Sequence, residues 1–216
     1  MLLLKNARFA ALHERAKRGD LEGGVRLMEP VAAAFPAAGE IQSDYGNALT
    51  RLGRAPEAYA ALDRAVKASP GDVRTARTRA MAAMLLRDFP RARREWDEVY
   101  RLTKIDGDGL ASAAAAYAID PKNSVALFRD IAVPTPSSNS GVGQVANLFA
   151  LAGTAGPESE AAMSLARSLV DTRQTVLAIP LLDAAIRATP SDPEPRKLLA
   201  KVFRSMGCDA LAKGLD

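Results

Sequence analysis

Features recur along this chain at intervals of 34 residues, and that spacing constrains the fold more than any single side chain does. Small residues stand at Gly24, Ala58 and Ala92, glycines at Gly19 and Gly53, and prolines at Pro36 and Pro70, each step being 34. A fixed period of this length means that one supersecondary unit is repeated, and that neighbours stack to bury faces none could bury alone. In the clearest unit, YGNALTRLGRAPEAYAALDRAVKASPGD over residues 45–72, two amphipathic patterns are joined at Gly53 and closed by Pro70. Glycine can take the left-handed conformation that caps the first helix. Proline lacks the N–H needed to continue the second.

Two helices in a 34-residue unit resemble the tetratricopeptide repeat. Residues 39–72 carry the resemblance most fully, with Gly46 and Ala58 where the helices cross, Leu62 as the large core residue, Ala65 and the closing Pro70. Residues 73–106 keep the register through Ala80, Ala92, Trp96 and Val99, although Lys104 replaces the proline and Arg79 stands where the family is usually apolar. Residues 5–38 read as a degenerate capping copy, with Gly19, Gly24, Val31 and Pro36, but Leu12 where a small residue is expected. The register returns at 159–192, with Leu165, Ala166, Ala178, Leu182, Ala185 and Pro190, and partially at 193–216, with Ala200, Gly207 and Ala212.

Between Ala92 and Ala178 lie 86 residues, two periods plus 18. That offset predicts a degenerate repeat over 107–140 and an insertion reaching 158. The pattern places helices over 110–119 and 124–132 about a turn at Asp120-Pro121, then a loop over 133–143, VPTPSSNSGVG, where proline, serine and glycine oppose regular structure. A short extra helix is expected over 144–153. The resemblance implies an all-α fold for residues 1–216: a single-domain solenoid, a right-handed superhelix of helix-turn-helix repeats with an irregular middle segment.

Composition excludes much of the usual site chemistry. The sole histidine, His13, permits neither a multi-histidine metal site nor a relay, and the sole cysteine, Cys208, permits no intramolecular disulfide and no CxxC site. No histidine lies near Cys208 in sequence to activate it. The glycines of SSNSGVGQ lack the lysine and Ser/Thr of a phosphate-binding loop. No cofactor is expected, and the chain reads as non-enzymatic. The three-leucine run at the N-terminus is short of the about 7–15 apolar residues of a secretory signal, and no apolar stretch approaches the ~18 residues of a membrane span. The expectation is a cytoplasmic protein, with alanine and arginine usage hinting at a bacterial source.

In the tetratricopeptide family the first helix of each repeat lines a concave groove, so the resemblance nominates Phe9, His13 and Lys17 from the first repeat. The second contributes Ser43, Asp44, Asn47, Thr50 and Arg51, and the third Arg74, Arg77, Thr78, Met81, Met84 and Leu85. Asn47 can offer a peptide backbone both a donor and an acceptor. Met81, Met84 and Leu85 read either as an adaptable apolar floor or as packing against the next repeat. Some family members clamp a C-terminal carboxylate with Lys, Asn and Arg residues; here that pattern meets Phe9, His13, Asp44, Arg74 and Thr78, and only Arg74 suits a carboxylate.

Charge is uneven. The chain has 29 basic and 25 acidic residues, and 73–106 alone holds nine Lys/Arg against five Asp/Glu. Such a cluster raises a nucleic-acid reading. However, Arg87, Arg91 and Arg94 follow a helical stripe, the pairs Arg91–Glu95 and Arg94–Glu98 are spaced to satisfy each other, and no aromatic residues interleave to stack bases. The leading expectation is therefore a scaffold or adaptor that binds a partner peptide or helix in its groove. The alternatives are a regulatory or substrate-recruiting component of an enzyme system, such as a transferase or oxygenase, and nucleic-acid binding through the third repeat. A homodimer is left open.

Overall fold

The computed structural model describes residues 10–11, 14–15, 18–132 and 140–215, and every regular element among them is helical. The first three helices with defined ends are α1 (Leu21–Ala34), α2 (Gly39–Arg51) and α3 (Ala55–Ala68). They are followed by α4 (Val73–Leu85), α5 (Phe89–Thr103), α6 (Asp106–Ile119) and α7 (Pro121–Ala132). After the loop come α8 (Ser140–Ala155), α9 (Glu160–Asp171), α10 (Thr175–Ala188), α11 (Pro193–Ser205) and α12 (Asp209–Lys213). Helices pair as α2 with α3, α4 with α5, α6 with α7, α9 with α10 and α11 with α12, and successive pairs pack through α3 on α4, α5 on α6 and α10 on α11. This is the all-α solenoid that the period predicts.

The period is written into the backbone. Left-handed φ angles occur at Gly19 (83°), Gly53 (70°) and Arg87 (55°), then at Arg173 (60°) and Gly207 (75°). Within each group the step is 34 residues, and from Arg87 to Arg173 it is 86, as between Ala92 and Ala178. Arginine at such a turn bears a steric cost of about 1 kcal/mol that glycine avoids. Lys104, standing where a terminal proline was expected, ends α5 by the same device, at φ 54°.

Small residues act where helices cross. A Cβ on Gly46 of α2 would lie 2.6 Å from Leu62 Cγ and 3.3 Å from the Ala58 carbonyl of α3. Side-chain caps hold several first turns: Asp72 accepts from the Arg74 and Thr75 amides and Asp88 from the Arg91 amide.

The middle of the chain is more regular than its sequence suggests. Helix α6 begins at Asp106 rather than 110, with Asp106 and Asp108 in its first turn, where carboxylates favour a helix N-terminus. Helix α7 begins at Pro121 rather than 124: proline is pre-organised for the first helical position, and Asp120 caps the helix by accepting from the Asn123 amide at 3.1 Å. The expected loop over 133–143 is too long, because Ser140–Gly143 already belong to α8, which runs to Ala155; residues 133–139 lie outside the described residues. Helix α8 packs on α7 and α9 and anchors through Phe149, which stacks on Phe128 (4.7 Å between centroids) and meets Tyr117 edge-on (5.9 Å).

The array also closes on itself. Helix α10 packs not only on its partner α9 but against α6 and α4. Asp183 of α10 pairs with Arg87 at 3.2 Å, and Arg187 donates to Asp183 at 2.9 Å and to the Ala118 carbonyl of α6. On the same side the α11–α12 turn meets the α2–α3 turn. Cys208 Sγ lies 3.6 Å from the Thr50 carbonyl, and a Cβ on Gly53 would lie 2.9 Å from Cys208 Cβ.

Candidate functional site

The first helices of the second, third and fourth repeats are joined side by side by polar contacts. Ser43 Oγ of α2 and Thr75 Oγ1 of α4 share a hydrogen bond at 2.6 Å, and Asp44 lies 3.9 Å from the Arg74 guanidinium. From α4, Arg77 donates through Nε and Nη2 to both oxygens of Asp108 on α6, at 2.9 and 2.7 Å, a fork geometry that fixes the neighbour's position as well as its charge. Asp108 was not nominated from sequence, although it stands 34 residues after Arg74 and so in the same register.

The nominated residues divide by burial. Asp44, Asn47, Thr78, Arg77 and Met81 are half-buried, and Arg51 and Arg74 are exposed. Thr78 Oγ1 donates to the Arg74 carbonyl within its own helix. Asn47 and Arg51 have no hydrogen-bond or ionic partner among the described residues. Phe9, His13 and Lys17 lie outside the described residues.

Four nominations are corrected. Ser43 and Thr50 are buried, the first bonded to Thr75 and the second to the Gly46 carbonyl at 2.8 Å, because short hydroxyls facing a helix seam satisfy themselves there. Met84 and Leu85 are 0% and 2% exposed and share a core cluster with Ile179 and Leu182 of α10. The packing alternative holds for both, but the covering element is the C-terminal repeat rather than the next one.

Arg79, at its normally apolar position, is 14% exposed and is answered in kind. It pairs with Asp63 of α3 at 3.2 Å and with Glu95 of α5, and Tyr59 of α3 donates to Glu95 at 2.7 Å. Burial first, and then the bond to Glu95, pushes the Tyr59 hydroxyl up to about 12. Glu95 is thus taken by Arg79, not by Arg91, which lies 3.2 Å from Asp88 with its guanidinium over the Tyr59 ring. Likewise Glu98 is taken by Arg101 at 2.6 Å rather than by Arg94. Most of the basic excess of 73–106 is therefore matched by carboxylates within the fold.

Cys208 is buried, and that burial raises its thiol to about 11, so it is a packing residue with little thiolate character near neutrality. Among the described residues no group of His, Cys, Asp or Glu could hold a metal ion, and no helix is long and apolar enough to cross a membrane.

Comparison with known proteins follows the same lines. The chain resembles the crystal structure of MamA at 12% identity, over 94% of this chain and 88% of that one, with a TM-score of 0.40. It resembles the MamA RS-1 ArsTM double mutant at 14% identity, over 99% and 88%, also at 0.40. No curated protein matches. The family model for the tetratricopeptide repeat matches residues 9–73, the stretch that holds α1–α3 and the crossing of Gly46 with Leu62. By that match, and by the helix pairs that continue from it, the chain belongs to the tetratricopeptide repeat family.

Proposed function

We propose that the chain is a non-catalytic, cytoplasmic interaction scaffold working as one domain, and that the joined face of α2 and α4 takes an extended or helical segment of a partner protein. The observation that carries this reading is the contrast along that face. Its buried hydroxyls are internally bonded, while Asn47 and Arg51 keep polar groups without an internal partner beside the half-buried Met81. An amide, a guanidinium and a thioether in a row can meet a backbone, an acidic side chain and an apolar side chain respectively. The matched charges of the third repeat favour this reading over nucleic-acid binding, which needs cations free to release phosphate counterions.

Photo-crosslinking tests it. A benzophenone side chain placed at Asn47 or Arg51 is expected to trap one partner protein, while the same group at Arg94, an exposed position on α5, traps none. The same adduct from Arg94, with none from Asn47 or Arg51, would move binding off this face.

A further inference from the structure

A second feature lies away from the α2–α4 face. Helices α5, α6 and α7 enclose an open cleft of about 320 Å³, within the ~300–1,000 Å³ range of small ligand pockets. Its walls are apolar: the Tyr100 ring, Ala113, Leu127 and Ile131. Gly109 keeps it open, since a Cβ there would stand 3.3 Å from the Tyr100 ring. Tyr100 is 37% exposed, and Ile105, just before α6, is 51% exposed.

The cleft's polar groups are unbalanced. Asp97, Asp106 and Asp130 face a single cation, Arg93. Arg93 Nε is 3.9 Å from Asp97, which also accepts from the Ser112 hydroxyl, so Asp97 is answered within the fold. Asp106 and Asp130 have no partner among the described residues. Asp106 gains from its place in the first turn of α6, but Asp130 stands in the last turn of α7, where the helix dipole opposes negative charge. Nothing in the chain compensates that carboxylate. In a chain with net charge +4, this cleft is a local acidic exception over an apolar floor.

We propose that the cleft between α5, α6 and α7 anchors an arginine of a basic, partly apolar segment of a partner protein, with Asp130 and Asp106 receiving the guanidinium and the Tyr100, Leu127 and Ile131 wall receiving its methylene stem. A long basic side chain suits such a site because its stem is apolar and its head is charged. The site is independent of the α2–α4 face and can succeed or fail without it.

The probe is a fluorescein-labelled Gly-Leu-Arg-Gly-Leu-Arg-Gly peptide, with citrulline replacing arginine as a neutral control of the same shape. Titrated into the ¹⁵N-labelled full chain, the arginine peptide is expected to shift the amides of Gly109, Ser112, Ala113 and Ile131, and the citrulline peptide is not. Asp130→Asn and Asp106→Asn should each weaken binding by about tenfold, with the circular dichroism melt unchanged because neither carboxylate has a partner to lose. No shifts at millimolar peptide, equal binding of the citrulline peptide, or shifts confined to the α2–α4 face would each overturn the proposal. A dimer that Asp130→Asn dissociates would overturn it too, by giving the cleft to a second copy of this chain.

Discussion

At single positions the fold depends on what is absent as much as on what is present. Gly46 has no room for a methyl group against Leu62, so Gly46→Ala, which improves helix propensity, is expected to destabilise the protein by about 1–3 kcal/mol through overpacking, read from urea unfolding. Arg79 shows the opposite dependence. Replacing it with Met leaves Glu95, 13% exposed, and Asp63 without their shared cation, at an expected cost of about 3 kcal/mol in the same assay. Cys208 should react with a thiol reagent at pH 8 only as fast as the chain opens, and at once in denaturant, because burial holds its pKa near 11. Gly46 and Gly53 were legible in the sequence because a small residue at a crossing and a glycine at a turn are local requirements. The partners of Arg79 were not: Asp63 and Glu95 lie on other helices, and spacing along one helix had paired Glu95 with Arg91 instead.

Among the helices, α10 carries the greatest consequence for its neighbours. It is the second helix of its repeat, yet it packs on the first helices of two others. Asp183→Asn removes the charge that holds Arg87 and weakens that of Arg187. Because both arginines are partly exposed, a loss of about 1–2 kcal/mol is expected. Amide hydrogen exchange should locate that loss in α10 and in the C-terminal turns of α4 and α6, not in α1–α3. Here the sequence informed less. It placed α10 in register through Ala178, Leu182 and Ala185, but periodicity reports which face of a helix is apolar and not which distant helix covers it. For the same reason Met84 and Leu85 carried the pattern of a groove floor and proved to be core. The start of α7 was missed for a different cause, since Asp120-Pro121 was read as a turn when the pair is a cap and a first helical residue.

For the molecule as a whole, alkaline pH is the revealing condition. Burial raises Cys208 from 9.0 to about 11 and Tyr59 from 10.0 to about 12. The folded chain therefore keeps protons that the unfolded chain releases, and stability falls as pH rises. Urea midpoints are expected to be flat below pH 9 and to decline between pH 9 and 12. Both groups sit at joints of the array, Tyr59 beside the α3–α5 ion network and Cys208 at the contact of the α11–α12 turn with the α2–α3 turn. That last contact sets this chain apart from an open-ended stack, whose length is free because each unit touches only the next. Here the second unit and the last must arrive at one another. An extra 34-residue unit spliced between α5 and α6 would keep every local interface and still pull that joint apart, so the number of units is itself part of what the sequence encodes.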